Sequence, residues 1–442
     1  MSIQREHQED GNMSPSARLP CFRATLLVWV LVSMLAPAQA REEIAVLTPG
    51  GASVDVCGEL IVIGDPGAIV GFENEAGEVH VYEQDGLGWR SQTTLTASDI
   101  DEYDNFGGSV AVDGDVIAVG APANDLQFPH LGAVYVFRYT GGTWVEEARL
   151  DSGRTYQDNF GLAIDLEDDL LVVGNTNPGL VFVFRYDGGT WVEEAQLLGS
   201  DATGADSYGY SVSLSGNRMV VGGPSDDDMG VHTGSAFVFR REGTTWVEED
   251  KLTAWDAMPD DHFGSAVAIS GTHIVIGAPS DDNQGQDSGT AYAFELVGSV
   301  WQPRGLVEHP DVGGLDQFGR AVAIEGDQAV VGAVLHDPGT GVLGSGFLFI
   351  RHGDGWIPLD RLTPSGAGGG AHIGNSVALS GELSALAGDL GSSGYVYDVG
   401  GNIPAVSEWG MLALTLLMLC TGTILLRHTK HRYGEETHAP YC

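Results

Sequence analysis

The chain declares its fold at residues 106–122, FGGSVAVDGDVIAVGAP, and in the continuation LGAVYVFRYTGGTWVEEARL at 131–150. Ser109-Val110-Ala111-Val112 alternates in the manner of a half-buried strand. Asp113-Gly114-Asp115 is a tight hairpin signal. Val116-Ile117-Ala118-Val119 is unbroken in its apolarity, which asks for burial on both faces, and it stops at Gly120-Ala121-Pro122. A polar loop leads to a third strand, Ala133–Phe137, and a Gly-rich turn to a fourth, Trp144–Leu150. Four antiparallel strands joined in sequence order make one blade of a β-propeller.

The blade repeats. Its marker, an aromatic residue followed by Gly, recurs at Phe106-Gly107, Phe160-Gly161, Tyr208-Gly209, Phe263-Gly264 and Phe318-Gly319, with weaker copies at Gly50-Gly51 and Ile373-Gly374. The spacings are 56, 54, 48, 55, 55 and 55 residues, so one repeat architecture replaces any division into separate domains. The fold class expected is all-β, a seven-bladed propeller of four-stranded antiparallel blades over 41–401.

The fourth strand, opening at Trp89, Trp144, Trp191, Trp246, Trp301 and Trp356, reads as the outer edge. Pro303 and Pro358 lie in it, and proline cannot donate to a ladder. Its Glu pairs suit a solvated edge. The recurring Trp is a packing anchor before it is a sugar platform, because it keeps one structural position. The seventh copy ends at Tyr395-Val396-Tyr397-Asp398 with no Trp strand after it, whereas Glu42–Leu47 precedes the first copy and is similar to residues 193–198. The N-terminal segment is therefore expected to supply the last outer strand and lock the ring.

Phe-Gly followed by Gly120-Ala121-Pro122 or Gly277-Ala278-Pro279 resembles the FG-GAP repeat, over roughly residues 50 to 400. The resemblance implies the propeller of integrin α subunits and of many secreted bacterial proteins, extracellular adhesion, and often calcium. The family's calcium loop, D-x-D-x-D-G between the first two strands, has no counterpart here; Asp113-Gly114-Asp115 is too short to wrap a cation.

Twenty Lys and Arg stand against 61 Asp and Glu in 442 residues, a net charge of −41. That excludes a nucleic-acid binder of the usual basic kind. With 43 % hydrophobic residues the chain is no disordered acidic protein, and its 64 glycines fit many tight turns. Residues 41–401 hold 14 of the basic and 55 of the acidic side chains, hence all of the net charge.

The ends set an expected address. Arg18 and Arg23, the apolar Ala24–Leu35 and Ala38-Gln39-Ala40 form a secretory signal cleaved after Ala40; Met13 is an alternative start. Near the other end Ile403-Pro404-Ala405-Val406-Ser407-Glu408-Trp409-Gly410, the apolar Met411–Leu426 and the basic Arg427, Lys430 and Arg432 resemble the IPTL-CTERM sorting signal of Gram-negative bacteria. This implies export and sorting machinery as partner, with the membrane met through the tail helix; a permanent single-pass anchor is the alternative. Ten residues beyond the basic cluster, Tyr433–Cys442, depart from that pattern. Cys57 is the one cysteine of the mature domain, so no internal disulfide forms there.

Asp recurs two residues before the aromatic-Gly pair, at Asp104, Asp158, Asp206, Asp261 and Asp316, and seven before it, at Asp99, Asp201, Asp256 and Asp311. The loops between second and third strands add Asp226-Asp227-Asp228 and Asp281-Asp282-Asn283. Both loop types fall on one face of the disc. The candidate metal set, with calcium as the ion, is Asp281, Asp282, Asn283 and Asp287 with Asp226 and Asp228, because clustered carboxylate and amide oxygens supply the six to eight ligands calcium takes. The competing reading, turn chemistry and solubility, is the one adopted.

No catalytic constellation is expected. Lys251 is the only Lys of the mature domain, and no phosphate loop, H-E-x-x-H, C-x-x-C or G-x-S-x-G occurs there. His80, His130, His232 and His273 are scattered, and His262 beside Asp261 is the one acid-His neighbour worth testing. Three readings follow. The first is a secreted, non-enzymatic propeller for protein or surface interaction and adhesion. The second is a glycan-binding propeller using loop aromatics such as Phe128 and Trp255, and the third an enzyme with an unrecognised site.

Overall fold

The computed structural model describes residue 41 and residues 43–400, apart from 87, 124–130, 155–157, 338, 340–342, 368–369 and 390–391. The signal segment, the sorting tail, Phe128 and His130 lie outside the described residues. So do the domain boundaries expected at 40 and 402. No helix among the described residues is long and apolar enough to cross a membrane.

Among the described residues, twenty-eight strands form seven sheets of four. The second blade is typical: β6 (Ser109–Asp113), β7 (Val116–Ala121), β8 (Ala133–Thr140) and β9 (Thr143–Leu150), paired antiparallel in that order. Every residue of β7 is buried, as its unbroken apolarity requires. The first strands of successive blades meet around the ring, and the first strand of blade seven, β26 (Ser376–Ser380), meets that of blade one, β2 (Ser53–Cys57). Closure occurs as expected. β1 (Glu43–Leu47) pairs with β28 (Gly394–Asp398) as the outermost strand of the last blade. Glu43 then accepts bonds from the Ser365 N–H and hydroxyl, both at 2.7 Å, as Glu146 does from Ser98 and Glu248 from Ser200 in ordinary blades.

The blade-to-blade seam explains the repeated Phe-Gly and Gly-Ala-Pro. The aromatic is fully or almost fully buried at each of its five copies and stands edge-on to a third-strand ring, as Phe106 does to Tyr135 at 5.5 Å and Phe263 to Tyr292 at 5.3 Å. Its Gly has φ near +90°, where a side chain is strained. A Cβ on Gly120 would meet the carbonyl oxygen of Gly161 in the next blade at 2.1 Å, and one on Gly222 that of Gly264 at 2.0 Å. Two glycines let adjacent backbones touch, and a serine hydroxyl seals the contact: Ser109 donates to that Gly161 carbonyl at 2.8 Å. Where blade seven meets blade one, Gly50 replaces the aromatic, because even a Cβ there would meet the Ser392 carbonyl at 2.0 Å.

The Trp strand is outermost in all six blades where it occurs. Trp191, Trp246 and Trp301 are buried, and Trp144 donates its indole N–H to Gln92 of the neighbouring blade at 2.7 Å. The residue serves inter-blade packing. Pro303 and Pro358 sit beside irregular steps in the pairing of their edge strands.

Candidate functional site

The loops between second and third strands, and those between blades, emerge on one face and are stitched together. Asp260 donates its N–H to the Val231 carbonyl at 2.8 Å and Leu315 to Gln286 at 2.7 Å, each across a seam. The Asp two residues before the aromatic closes its loop by accepting a backbone N–H: Asp101 to Asp104 at 2.8 Å, Thr203 to Asp206 at 2.6 Å, Met258 to Asp261 at 2.6 Å and Gly313 to Asp316 at 2.7 Å. Four of these recurring carboxylates are thus turn chemistry.

The candidate metal residues separate into two groups. Asp226 and Asp228 converge with Asp201, and Lys251 fills the centre, its ammonium 2.9 Å from Asp201, 2.9 Å from Asp226 and 2.7 Å from Asp228. Burial opposes that charge, but bonds to Asp228, Asp226 and Asp201 outweigh it and hold Lys251 well above the ordinary lysine range. Asp228 is held low chiefly by its bond to Lys251.

In blade five the residues of 281–287 are directed to separate tasks. Buried Asp281 accepts from the Asn283 N–H at 2.7 Å and the Tyr292 hydroxyl at 2.5 Å, while Asp282 accepts from the Asp287 N–H at 2.7 Å. Asn283 directs its amide at Asp256 and Asp281 at 3.4 and 3.3 Å, and Asp287 meets Gln286 at 3.3 Å. The position of Lys251 is taken by Leu306: Lys251 lies opposite Phe237, Leu306 opposite Tyr292. Blades two and six keep a cation there, with Arg149 3.1 Å from Asp99 and Arg361 3.1 Å from Asp311. Asp261, beside this corner, is pushed up to about 6, by burial first and then by Asp281, Asp256 and Asp282, against the Met258 bond.

A cavity of about 290 Å³ opens at the centre of the ring, lined by the starts of first strands, with Ser53, Ser109, Ser211 and Ser265 among its walls. Half-buried Arg320 reaches across it, donating to Tyr210 and to Asn375, both at 3.3 Å. Deeper on the first strands, Asp55 and Asp165 accept the N–H groups of Val112 and Leu214 in the next blades at 2.8 and 2.6 Å. Burial pushes Asp55 up to about 7 and Asp165 to about 6, with those bonds opposing. A second cavity of about 230 Å³ adjoins between blades four and six, lined by His262, Gln317, Arg320 and Tyr210.

Asp261 and His262, neighbours in sequence, share no hydrogen bond among the described residues. His262 stacks on His232, ring centres 5.8 Å apart, and His232 lies 3.1 Å from Asp260. Neither this trio nor the Arg320 bridge was expected from sequence. Arg149, Lys251 and Arg361 share one register, so aligning the repeats marks a recurring cation position but not the carboxylates it meets.

The FG-GAP repeat family model matches residues 89–137, 191–239, 246–294 and 307–349. The first three stretches run from the outer Trp strand of one blade through the third strand of the next, so the sequence repeat straddles the seam and leaves the chain's first strand to complete its last blade. No curated protein matches the chain. On these four matches and the seven closed blades, the chain is an FG-GAP-repeat β-propeller.

Proposed function

We propose that this propeller is an exported, non-enzymatic binding module that takes a protein partner on its loop face. The observation that carries the reading is where large apolar side chains stay exposed. Phe72 is 97 % exposed, Ile69 67 %, Met229 63 %, Met258 59 % and Leu315 56 %, and all lie in loops of that face. These side chains are apolar surface that the loop face offers to a partner. The loops that present them are clipped across seams, so little conformational freedom is lost on binding. Export and sorting rest on the sequence of the two ends, and adhesion on the family resemblance.

The glycan reading has Trp255 in its favour, 46 % exposed on the same face, although that ring packs edge-on against Tyr292 at 4.9 Å. The test places a photo-crosslinking residue at Phe72 or Met258 in the full chain, with Val145 on the outer strand as control, in cells that produce it. A glycan array is run in parallel. One recurrent protein adduct from the loop positions and none from Val145 is the expected result. Selective array binding with no loop-face adduct overturns the protein reading in favour of the glycan one.

A further inference from the structure

The backbone builds the same frame at three seams. Residues Glu75, Tyr103 and Asn105, then His232, Asp260 and His262, then Asp287, Leu315 and Gln317, all hold left-handed φ values between +48° and +71°. Each frame is fixed by two bonds across the seam. At the middle one Asp260 donates to Val231 at 2.8 Å and His262 to His232 at 3.1 Å, and the other two seams repeat the pattern. The frame is structural, because it recurs. Its contents are not constrained by it, because the three seams fill it differently. One seam fills all three positions with metal-ligating side chains, and their ligand atoms lie within 4.8 Å of one another.

We infer that His232, Asp260 and His262 bind a divalent first-row transition ion, with Zn²⁺ as the type. Two imidazoles and a carboxylate are zinc donors; calcium takes oxygens alone. His232 Nδ1 and Asp260 Oδ1 are already 3.1 Å apart, near the spacing that bonds of about 2.0–2.2 Å impose around a tetrahedral ion. His232 is exposed, so its ring turns freely enough to bring the set together. Three protein ligands leave a fourth position for water or for an oxygen of a bound partner. His262 also lines a cavity that Arg320 lines, and a guanidinium is able to pair with a carboxylate. The site stands independently of the protein-binding proposal, since it concerns the ion alone.

The test uses the full chain, stripped of metal, titrated with Co²⁺ and Zn²⁺. Asn replaces each residue in turn, because Asn tolerates left-handed φ and already occupies the His262 position at Asn105. The expected result is a visible Co²⁺ spectrum of four-coordinate intensity, displaced by Zn²⁺ and not by Ca²⁺ or Mg²⁺. His232→Asn, Asp260→Asn and His262→Asn each weaken binding tenfold or more while metal-free melting stays unchanged. Wild-type Co²⁺ spectra retained in His262→Asn and His232→Asn overturn the inference, since the ion is then bound elsewhere, as does the lack of any tight Zn²⁺ binding. If a variant melts early, the double variant His232→Gln with His262→Gln is read by the same spectrum.

Discussion

Blades four and five carry the same corner and balance its charge in opposite ways. In blade four Lys251 sits among Asp201, Asp226 and Asp228. In blade five the equivalents Asp256 and Asp281 accept the Tyr292 hydroxyl and the Asn283 amide, Leu306 stands in the register of Lys251, and no cation meets them among the described residues. The strand pairing is common to both, so the difference shows two ways in which one corner satisfies its carboxylates. With it, three carboxylates converge on one ammonium, each within 2.9 Å. Without it, they rely on hydroxyl and amide donors, and a neighbour, Asp261, holds its proton to about pH 6.

Removing the cation is expected to have the largest effect. Lys251→Met leaves buried Asp226 facing two other carboxylates, and it is expected to cost about 2–4 kcal/mol, discounted for the partial exposure of Asp201 and Asp228. Denaturant unfolding followed by circular dichroism measures it. A loss under about 0.5 kcal/mol, the range of ordinary surface changes, breaks the comparison.

The next effect is on pH. Asp55, Asp165 and Asp261 have folded values of about 7, 6 and 6 against an ordinary 3.8, so the folded state binds more protons between these limits. Their contribution is complete below about pH 4 and is lost as pH rises through 6 to 7. Melting temperature is therefore expected to rise as pH falls from 8 to 5. Asp55→Asn and Asp261→Asn should each flatten the profile. A profile that climbs toward pH 8 contradicts the assignment.

Adding a cation to blade five has a smaller expected effect. Leu306→Lys brings an ammonium to Asp256 and Asp281, and the ion pairs are expected to exceed the lost apolar contact by about 1 kcal/mol. The informative readout is its coupling to Asp261→Asn, since the new charge should remove most of that variant's effect on the pH profile. Additive behaviour of the two changes would show that the corner does not govern Asp261.

The smallest expected effect is ionic. Calcium and magnesium should stabilise the wild-type chain alike and modestly, with NaCl at matched ionic strength reproducing them, because screening a charge of −41 needs no dedicated site. Lys251→Met should respond more strongly to divalent ions than the wild type. A saturating shift with calcium alone, abolished by Asp281→Ala with Asp287→Ala, would instead establish a calcium site in blade five.

Much of the ring was legible because each of its rules is local and recurs. Alternation at Ser109–Val112, the turn at Gly114, the apolar run at Val116 and the proline at Pro303 each specify a strand's place in the blade without reference to any other blade. The candidate site was legible only in part. The turn role of Asp104, Asp206 and Asp261 followed from residue type. The partner of Asp226 lies 25 residues on, at Lys251, and is found only once the fourth strand is set beside the third.

By itself the sequence determined seven four-stranded blades, the outer position of the Trp strand and the closure by Glu43–Leu47, because periodicity and turn chemistry act over a few residues and need no knowledge of distant neighbours. Tertiary structure alone decided that Lys251 neutralises three carboxylates, that Arg320 reaches Tyr210 110 residues away, and that His232 and His262 stack. These meetings depend on which loop of one blade touches which loop of the next. Charges and imidazoles interact through space over a few ångströms, and the distance along the chain between Arg320 and Tyr210, or between His232 and His262, carries no trace of that.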